Sequence, residues 1–122
     1  DKYGIELLQL SINDSSLDVG SLEECLDEAI KFIDDNIQAS KDVLVHCSAG
    51  VSRSATIILV YLMKKNDWNV MQAFSYLRSK RTYVYPNLGF WNFLINKSNE
   101  MRGISEIIDK DKDILSIHSE NL

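Results

Sequence analysis

An α/β fold, with a central and largely parallel sheet flanked by helices, is what this sequence predicts, and three observations predict it. Runs of period-two or β-branched character alternate with runs of helical spacing, and helix-start signals lie between them. One aliphatic run also passes through a loop of small residues directly into a strongly apolar stretch. Taken in order, residues 4–12 (GIELLQLSI) place Leu8, Leu10 and Ile12 at period two, which predicts a strand. The stretch NDSSLDVGS then reads as a loop. From Ser21 onward, Leu22, Leu26, Ala29, Ile30, Ile33 and Ile37 recur at helical spacing. Ser21 as N-cap and Glu24 three positions later form a capping box, so an amphipathic helix is expected to about Gln38. Asp42 to His46 is short and dense in β-branched residues, the composition of a strand covered on both faces.

A second helix is expected from Arg53 or Ser54 to about Lys65, apolar on nearly every side and therefore central in the domain. Asn69 can cap a third, Val70 to Arg81, with Met71, Ala73, Phe74 and Leu77 on its inner face. Pro86 and Asn87 mark a turn and open a fourth, Leu88 to Met101, whose Phe90, Trp91, Phe93, Leu94 and Ile95 read as core. The predicted catalytic unit is residues 1–103. Residues 104–122 form an acidic tail whose isoleucines give a weak amphipathic pattern, consistent with a helix, a dimer contact or a loose end. Internal repeats and low-complexity tracts are absent from the sequence.

Composition narrows the function. The 122 residues are 45% hydrophobic and 25% charged, which suits one folded domain. The longest apolar stretch, Ala55 to Met63, is far short of a membrane span, so no membrane insertion is expected. The expected location is cytoplasmic, with the nucleus as the second choice. Two cysteines, Cys25 and Cys47, are too few for a disulfide framework and stand outside any zinc-type repeat, so both are expected as thiols and no metal or other cofactor is implied. A net charge of −5 argues against nucleic acid as a ligand, since phosphate-backbone binders carry a basic face. Any anion site must therefore be local.

Such a site is written between the second predicted strand and the second predicted helix. Cys47-Ser48-Ala49-Gly50-Val51-Ser52-Arg53 is a Cys-x5-Arg loop of mostly small side chains. A tight loop entering a helix aims successive backbone N–H groups inward at the positive end of the helix dipole, a cradle that fits a tetrahedral dianion. Gly50 permits a close approach, and Arg53 can donate two parallel hydrogen bonds to phosphate oxygens. An arginine opening a helix is electrostatically misplaced unless an anion compensates it. The same field lowers a cysteine pKa from roughly 8.5 into the range of about 3.5–7.5, so Cys47 would be a thiolate facing a bound phosphate.

These residues also carry a resemblance. The string HCSAGVSRS resembles the His-Cys-x2-Gly-x2-Arg-Ser/Thr signature of the protein tyrosine phosphatase superfamily, in the AGVSRS form of its small dual-specificity branch. SATIILVYLMKK directly after the loop and YPNLGF at 85–90 are similar to that branch as well, and the likeness covers roughly residues 3–102. The resemblance implies two steps, attack of the Cys47 thiolate on a phosphomonoester to give a phosphocysteine, then hydrolysis by water. It also implies an aspartate acid on a loop before the signature. Asp14 aligns with that position and Asp18 competes; Asp14 is preferred because it stands nearer the strand end, and positioning governs proton transfer. Ser54 is implied to ease departure of the thiolate, His46 to order the loop, and Asn87 to hold it from the side. Members of the branch usually carry more sequence before the equivalent of Tyr3, including a strand beside the phosphate-loop strand, so an N-terminal piece of the usual domain is expected to be absent here.

The plain alternatives are these. Cys25, on a helix face beside Leu22 and Leu26, reads as an inert small hydrophobe. Asp14 could be a turn residue or an N-cap, and Tyr83 and Tyr85 could be core or contact residues. Ser48, Ala49, Val51 and Ser52 are uncharged, which suits a single phosphate on a phosphoprotein partner rather than a multiply phosphorylated lipid. The resemblance is to the branch without the added aromatic loop of the classical tyrosine-specific enzymes, which implies a shallow bowl that admits phosphoserine and phosphothreonine as well as phosphotyrosine. A phosphate-reading module with little turnover is the alternative function. A metal-dependent phosphatase has no carboxylate cluster to support it, and the sequence leaves the oligomeric state open.

Overall fold

The computed structural model describes residues 19–45, 52–81 and 84–103. Within them lie four helices, α1 (Val19–Gln38), α2 (Arg53–Asn66), α3 (Val70–Lys80) and α4 (Leu88–Arg102). The expected strand at 4–12, His46 of the second strand and the tail at 104–122 lie outside the described residues.

Helix α1 begins two residues before the expected cap. Val19 stands three positions before Leu22 and packs against the core, so the apolar stripe gains a contact at its start and Ser21 is helical rather than a cap. The stripe Leu22, Leu26, Ala29, Ile30, Ile33 is buried, while Ile37 in the last turn is about two-fifths exposed. The helix ends at Gln38 with Ser40 in the left-handed region at φ 61°. There the Lys41 N–H donates to Asn36 O at 2.9 Å, the six-to-one closure of a Schellman turn.

Asp42 to Val45 belong to no strand, and no strand occurs among the described residues. Val43 and Val45 pack against the core, whereas Leu44 between them is 83% exposed. Alternation of an extended chain puts 43 and 45 on one side, so this run is one-sided and not covered on both faces as its composition suggested. Strand character also requires a paired neighbour, and the neighbour expected from the sequence lies outside the described residues.

Helix α2 packs against α1, α3 and α4, as its all-round apolarity requires. Leu59, Val60 and Met63 are at most 1% exposed, and the turn after the helix is closed by Asp67 in the left-handed region and by the Trp68 N–H donating to Met63 O. Helix α3 has the predicted cap in full. Asn69 Oδ1 accepts from Gln72 N–H at 2.9 Å and Gln72 Oε1 accepts from Asn69 N–H at 2.8 Å. Helix α4 buries Phe90, Trp91, Leu94 and Ser98 and stops at Gly103, whose φ of 64° is one a glycine adopts at little cost. The Phe74 and Trp91 rings meet edge to face at 4.9 Å, binding α3 to α4, with Tyr85 edge-on to both. Cys25 is half-buried; its thiol donates to Ser21 O at 3.1 Å and it packs against the same core.

Candidate functional site

Of the residues the sequence marks for the site, Ser52, Arg53, Ser54 and Asn87 are described; Asp14, Asp18, His46, Cys47, Ser48, Ala49, Gly50 and Val51 lie outside. The four are brought together by α2 and α4. Arg53 is the first residue of α2, directly after the N-cap Ser52, and is half-buried; Ser54 follows it and is buried. Their place follows from packing. The apolar face of α2 sinks into the three other helices, which carries Ser52 and the N-terminus of α2 to a point beside the start of α4.

The contact that defines this point is long in sequence. Ser52 Oγ accepts from the backbone N–H of Asn87 at 2.9 Å, and Ser52 is only 3% exposed. Serine before a helix usually turns its hydroxyl back onto its own first-turn N–H groups, but this one makes no such bond. Its carbonyl accepts from Thr56 N–H at 2.9 Å and from the Thr56 hydroxyl at 2.8 Å, which starts the α2 ladder. Asn87 works on both of its sides. Its backbone N–H reaches Ser52, while its side-chain Oδ1 accepts from Phe90 N–H at 2.9 Å and caps α4.

Pro86 is buried beside this contact, and Tyr85 before it is about two-fifths exposed, with its ring on Phe74 and Trp91. The Tyr85–Asn87 turn is therefore held by aromatic packing on one side and by Ser52 on the other. Among the described residues no cluster of His, Cys, Asp or Glu could hold a metal ion. No described helix is long and apolar enough to cross a membrane.

The Ser52 latch was not legible in the sequence, where this residue reads as a neutral wall of the phosphate loop. Nothing local distinguishes a serine that caps its own helix from one that reaches another. A second buried hydroxyl did leave a signal. Ser98 falls four positions after Leu94, on the stripe of α4 that faces the core, and there its Oγ accepts from Val70 N–H at 3.1 Å.

Comparison with known proteins matches the sequence pattern of the dual specificity phosphatase catalytic domain to residues 2–100. Dual specificity protein phosphatase 5 of Rattus norvegicus is 46% identical over 74 residues, covering 61% of this chain and 19% of its own. Among solved structures, the PTP-2 phosphatase of Cydia pomonella is 36% identical with a TM-score of 0.68, over 73% of this chain and 55% of that one. A human tyrosine phosphatase-like serine/threonine/tyrosine-interacting protein is 30% identical with a TM-score of 0.66, over 77% and 58%. The chain spans from 19% to 62% of the length of the first curated relatives it matches. With the family pattern covering most of its length and the fold shared with solved members, the chain belongs to the dual specificity phosphatase catalytic-domain family.

Proposed function

We propose that this chain hydrolyses phosphotyrosine, phosphoserine and phosphothreonine on a phosphoprotein through a phosphocysteine intermediate, with residues 1–103 as its catalytic unit. In the first step the Cys47 thiolate attacks phosphorus, the S–P bond forms as the P–O bond breaks, and Asp14 gives its proton to the departing oxygen. In the second, water attacks the phosphocysteine, the Asp14 carboxylate takes a proton from that water, and the thiolate leaves. Ser54 donates a hydrogen bond to the departing sulfur. Arg53 and the N–H groups of residues 48–53 balance the charge on the phosphoryl oxygens through both steps.

The observation that carries this reading is the placement of Arg53 and Ser54. They open the central helix immediately after the HCSAGVS string, with their backbone tied through Ser52 to the start of α4. A guanidinium at a helix start invites an anion, and the membership of residues 2–100 in the family supplies the chemistry for it. Uncharged Ser48, Ala49, Val51 and Ser52 favour one phosphate over several.

The test is phosphate release from a small aryl phosphate by the whole chain, with Cys47→Ser as control. The expected outcome is turnover that disappears in Cys47→Ser, is insensitive to chelators and is inhibited by vanadate. Turnover that survives the substitution removes the thiolate mechanism. A chain that protects Cys47 with phosphate but releases none is the phosphate-reading module instead.

A further inference from the structure

Helices α1 and α4 both pack on α2 and meet each other only lightly, which leaves a cleft of 560 Å³ between them. Its floor is apolar, made by Leu26 and by Val19 and Phe93, which pack only partly into the core. Its walls carry charge of one sign. Glu23 and Asp27 line it from α1 and Glu100 from α4, all three exposed, against a single lysine, Lys97. That lysine is already engaged, 3.8 Å from Glu100, and Asp27 meets Lys64 only at 3.9 Å with its own side chain 90% exposed. Glu23 pairs with no cation among the described residues. Asn92 and Asn96, exposed and one turn apart on α4, add amides that can bond the backbone of a bound chain. An apolar floor edged by carboxylates suits a segment that is apolar on one side and basic on the other.

The other occupants such a cleft could take are repelled by the same charge. Residues 104–122, which follow α4, hold Glu106, Asp109, Asp111, Asp113 and Glu120 against Lys110 and Lys112. Residues 1–18, which precede α1, hold Asp1, Glu6, Asp14 and Asp18 against Lys2. A second copy carries a net charge of −5, and a two-fold contact would set the carboxylates of this cleft against themselves.

We propose that the α1–α4 cleft docks a basic amphipathic segment of the phosphoprotein substrate. The docking rests on the cleft itself, and its being the substrate that docks rests on the proposed phosphatase reading. The cleft opens at Gly89, two residues after Asn87, whose N–H is held by Ser52 next to Arg53. From there it follows α4 to Glu100, roughly 16 Å by helical rise. One end therefore lies beside the start of α2. A segment seated there is tethered within reach of the proposed catalytic loop, so its phosphorylated residue meets that loop at a raised effective concentration. Ser48, Ala49, Val51 and Ser52 carry no charge to select the sequence around a phosphate, so a remote contact is where this chain can discriminate among phosphoproteins.

The probe is a dye-labelled peptide of leucine, lysine and alanine, three helical turns long with its leucines on one face, bound to the full chain and followed by anisotropy. Saturable binding that weakens as salt is raised is expected. Two double variants carry the decision, because they change the net charge equally at sites that are all exposed and therefore tolerant of substitution. Glu23→Lys with Glu100→Lys reverses the cleft and should weaken binding about 10-fold or more. Glu24→Lys with Glu28→Lys, on α1 outside the cleft, should weaken it less than about 3-fold. Equal losses reduce the binding to general attraction by an acidic protein and overturn the docking site, as does equal binding of the same peptide with its leucines scattered. Competition by a peptide of residues 104–122, or a dimer that Glu23→Lys with Glu100→Lys abolishes, gives the cleft to the chain itself and overturns the proposal too. A phosphopeptide carrying the basic segment should show a KM about 10-fold below that of its scrambled form at unchanged kcat; equal KM values detach the cleft from the substrate. Release of phosphate from neither peptide, with anisotropy still separating the two double variants, defeats the phosphatase reading and leaves the docking cleft standing.

Discussion

Helix α3 starts with Asn69 and Gln72 exchanging hydrogen bonds, and α4 starts with Asn87 accepting from Phe90 N–H, whereas at α2 the N-cap Ser52 gives its hydroxyl to another element. Caps of the first kind satisfy orphan N–H groups within the helix and contribute typically about 1 kcal/mol. A helix whose role is packing gains by closing its end in this way. At α2 the cap bond is forgone and a net contribution of about 0.5–1.5 kcal/mol from the Ser52–Asn87 bond offsets it. Stability is little changed by the exchange. What changes is the cap: α3 and α4 each have a side-chain cap from the residue before them, while α2 has none and its entry is tied through Ser52 to the Asn87 N–H. The difference teaches that a helix start can be positioned without being sealed by its own cap.

The largest expected effect comes from removing the packing on which the comparison stands. Trp91 is fully buried, its ring lies against Phe74 and Tyr85, and it sits on α4 between the two serine latches. Trp91→Ala should cost about 3–5 kcal/mol in urea unfolding and loosen both serine contacts, because α4 would no longer be placed. Trp91→Phe should cost well under half of that. The indole Nε1–H has no acceptor among the described residues, so losing it removes no favourable bond. A tryptophan variant that unfolded easily yet kept both contacts would show that α2 is placed by something other than α4.

A smaller effect sharpens the comparison at the sealed ends. Asn69→Ala removes the side-chain half of the α3 capping box, the acceptor for Gln72 N–H, while leaving the backbone N–H of residue 69 on Gln72 and Val70 N–H on Ser98. The expected loss is about 0.5–2 kcal/mol in thermal or urea unfolding, with no movement of the pH midpoint of Cys47 alkylation. A shift of that midpoint would mean that the start of α3 also communicates with the loop before Arg53, and that sealed and latched ends are not separate in their effects.

Much of this arrangement is legible in the sequence, for local reasons. The stripe Leu22, Leu26, Ala29, Ile30, Ile33 is buried as its spacing requires, and Asn69 caps α3 as expected; Asn87, read as a turn residue, caps α4 in the same way. Arg53 and Ser54 open α2 as their place after the small-residue loop indicates. What escaped has non-local causes. The α1 start lies three residues before the Leu22 that a Ser21 cap implies, because Val19 gains a core contact that a capping motif does not reveal. The run Asp42 to Val45 has strand composition but is one-sided, since covering depends on what lies next to a strand and not on the strand itself. Ser52 reads as a loop wall until Asn87, 35 positions away, is brought against it. Cys47 and Asp14 lie outside the described residues and stand on the motif and the family.

The smallest expected effect concerns polar contacts that neither seal nor latch a helix. Lys31 and Asp35 pair at 2.6 Å on the solvent face of α1, one turn apart, with side chains 77% and 59% exposed. The hydrogen bond from Lys31 to Asp35, reinforced by the attraction of the carboxylate, raises the lysine above its ordinary pKa of 10.5. A raised lysine stabilises the fold fully below its unfolded value and loses that contribution as pH climbs through the folded one. Asp35→Asn should therefore lower the melting temperature slightly if at all. Any difference should hold constant from about pH 6 to 9, fading only in the alkaline range where the lysine discharges. Salt should shrink it further, since water and ions screen a pair this exposed. A loss as large as that of Asn69→Ala would place α1 among the helices held by surface charge, and hydrogen-bond burial would then no longer rank the contacts of this domain.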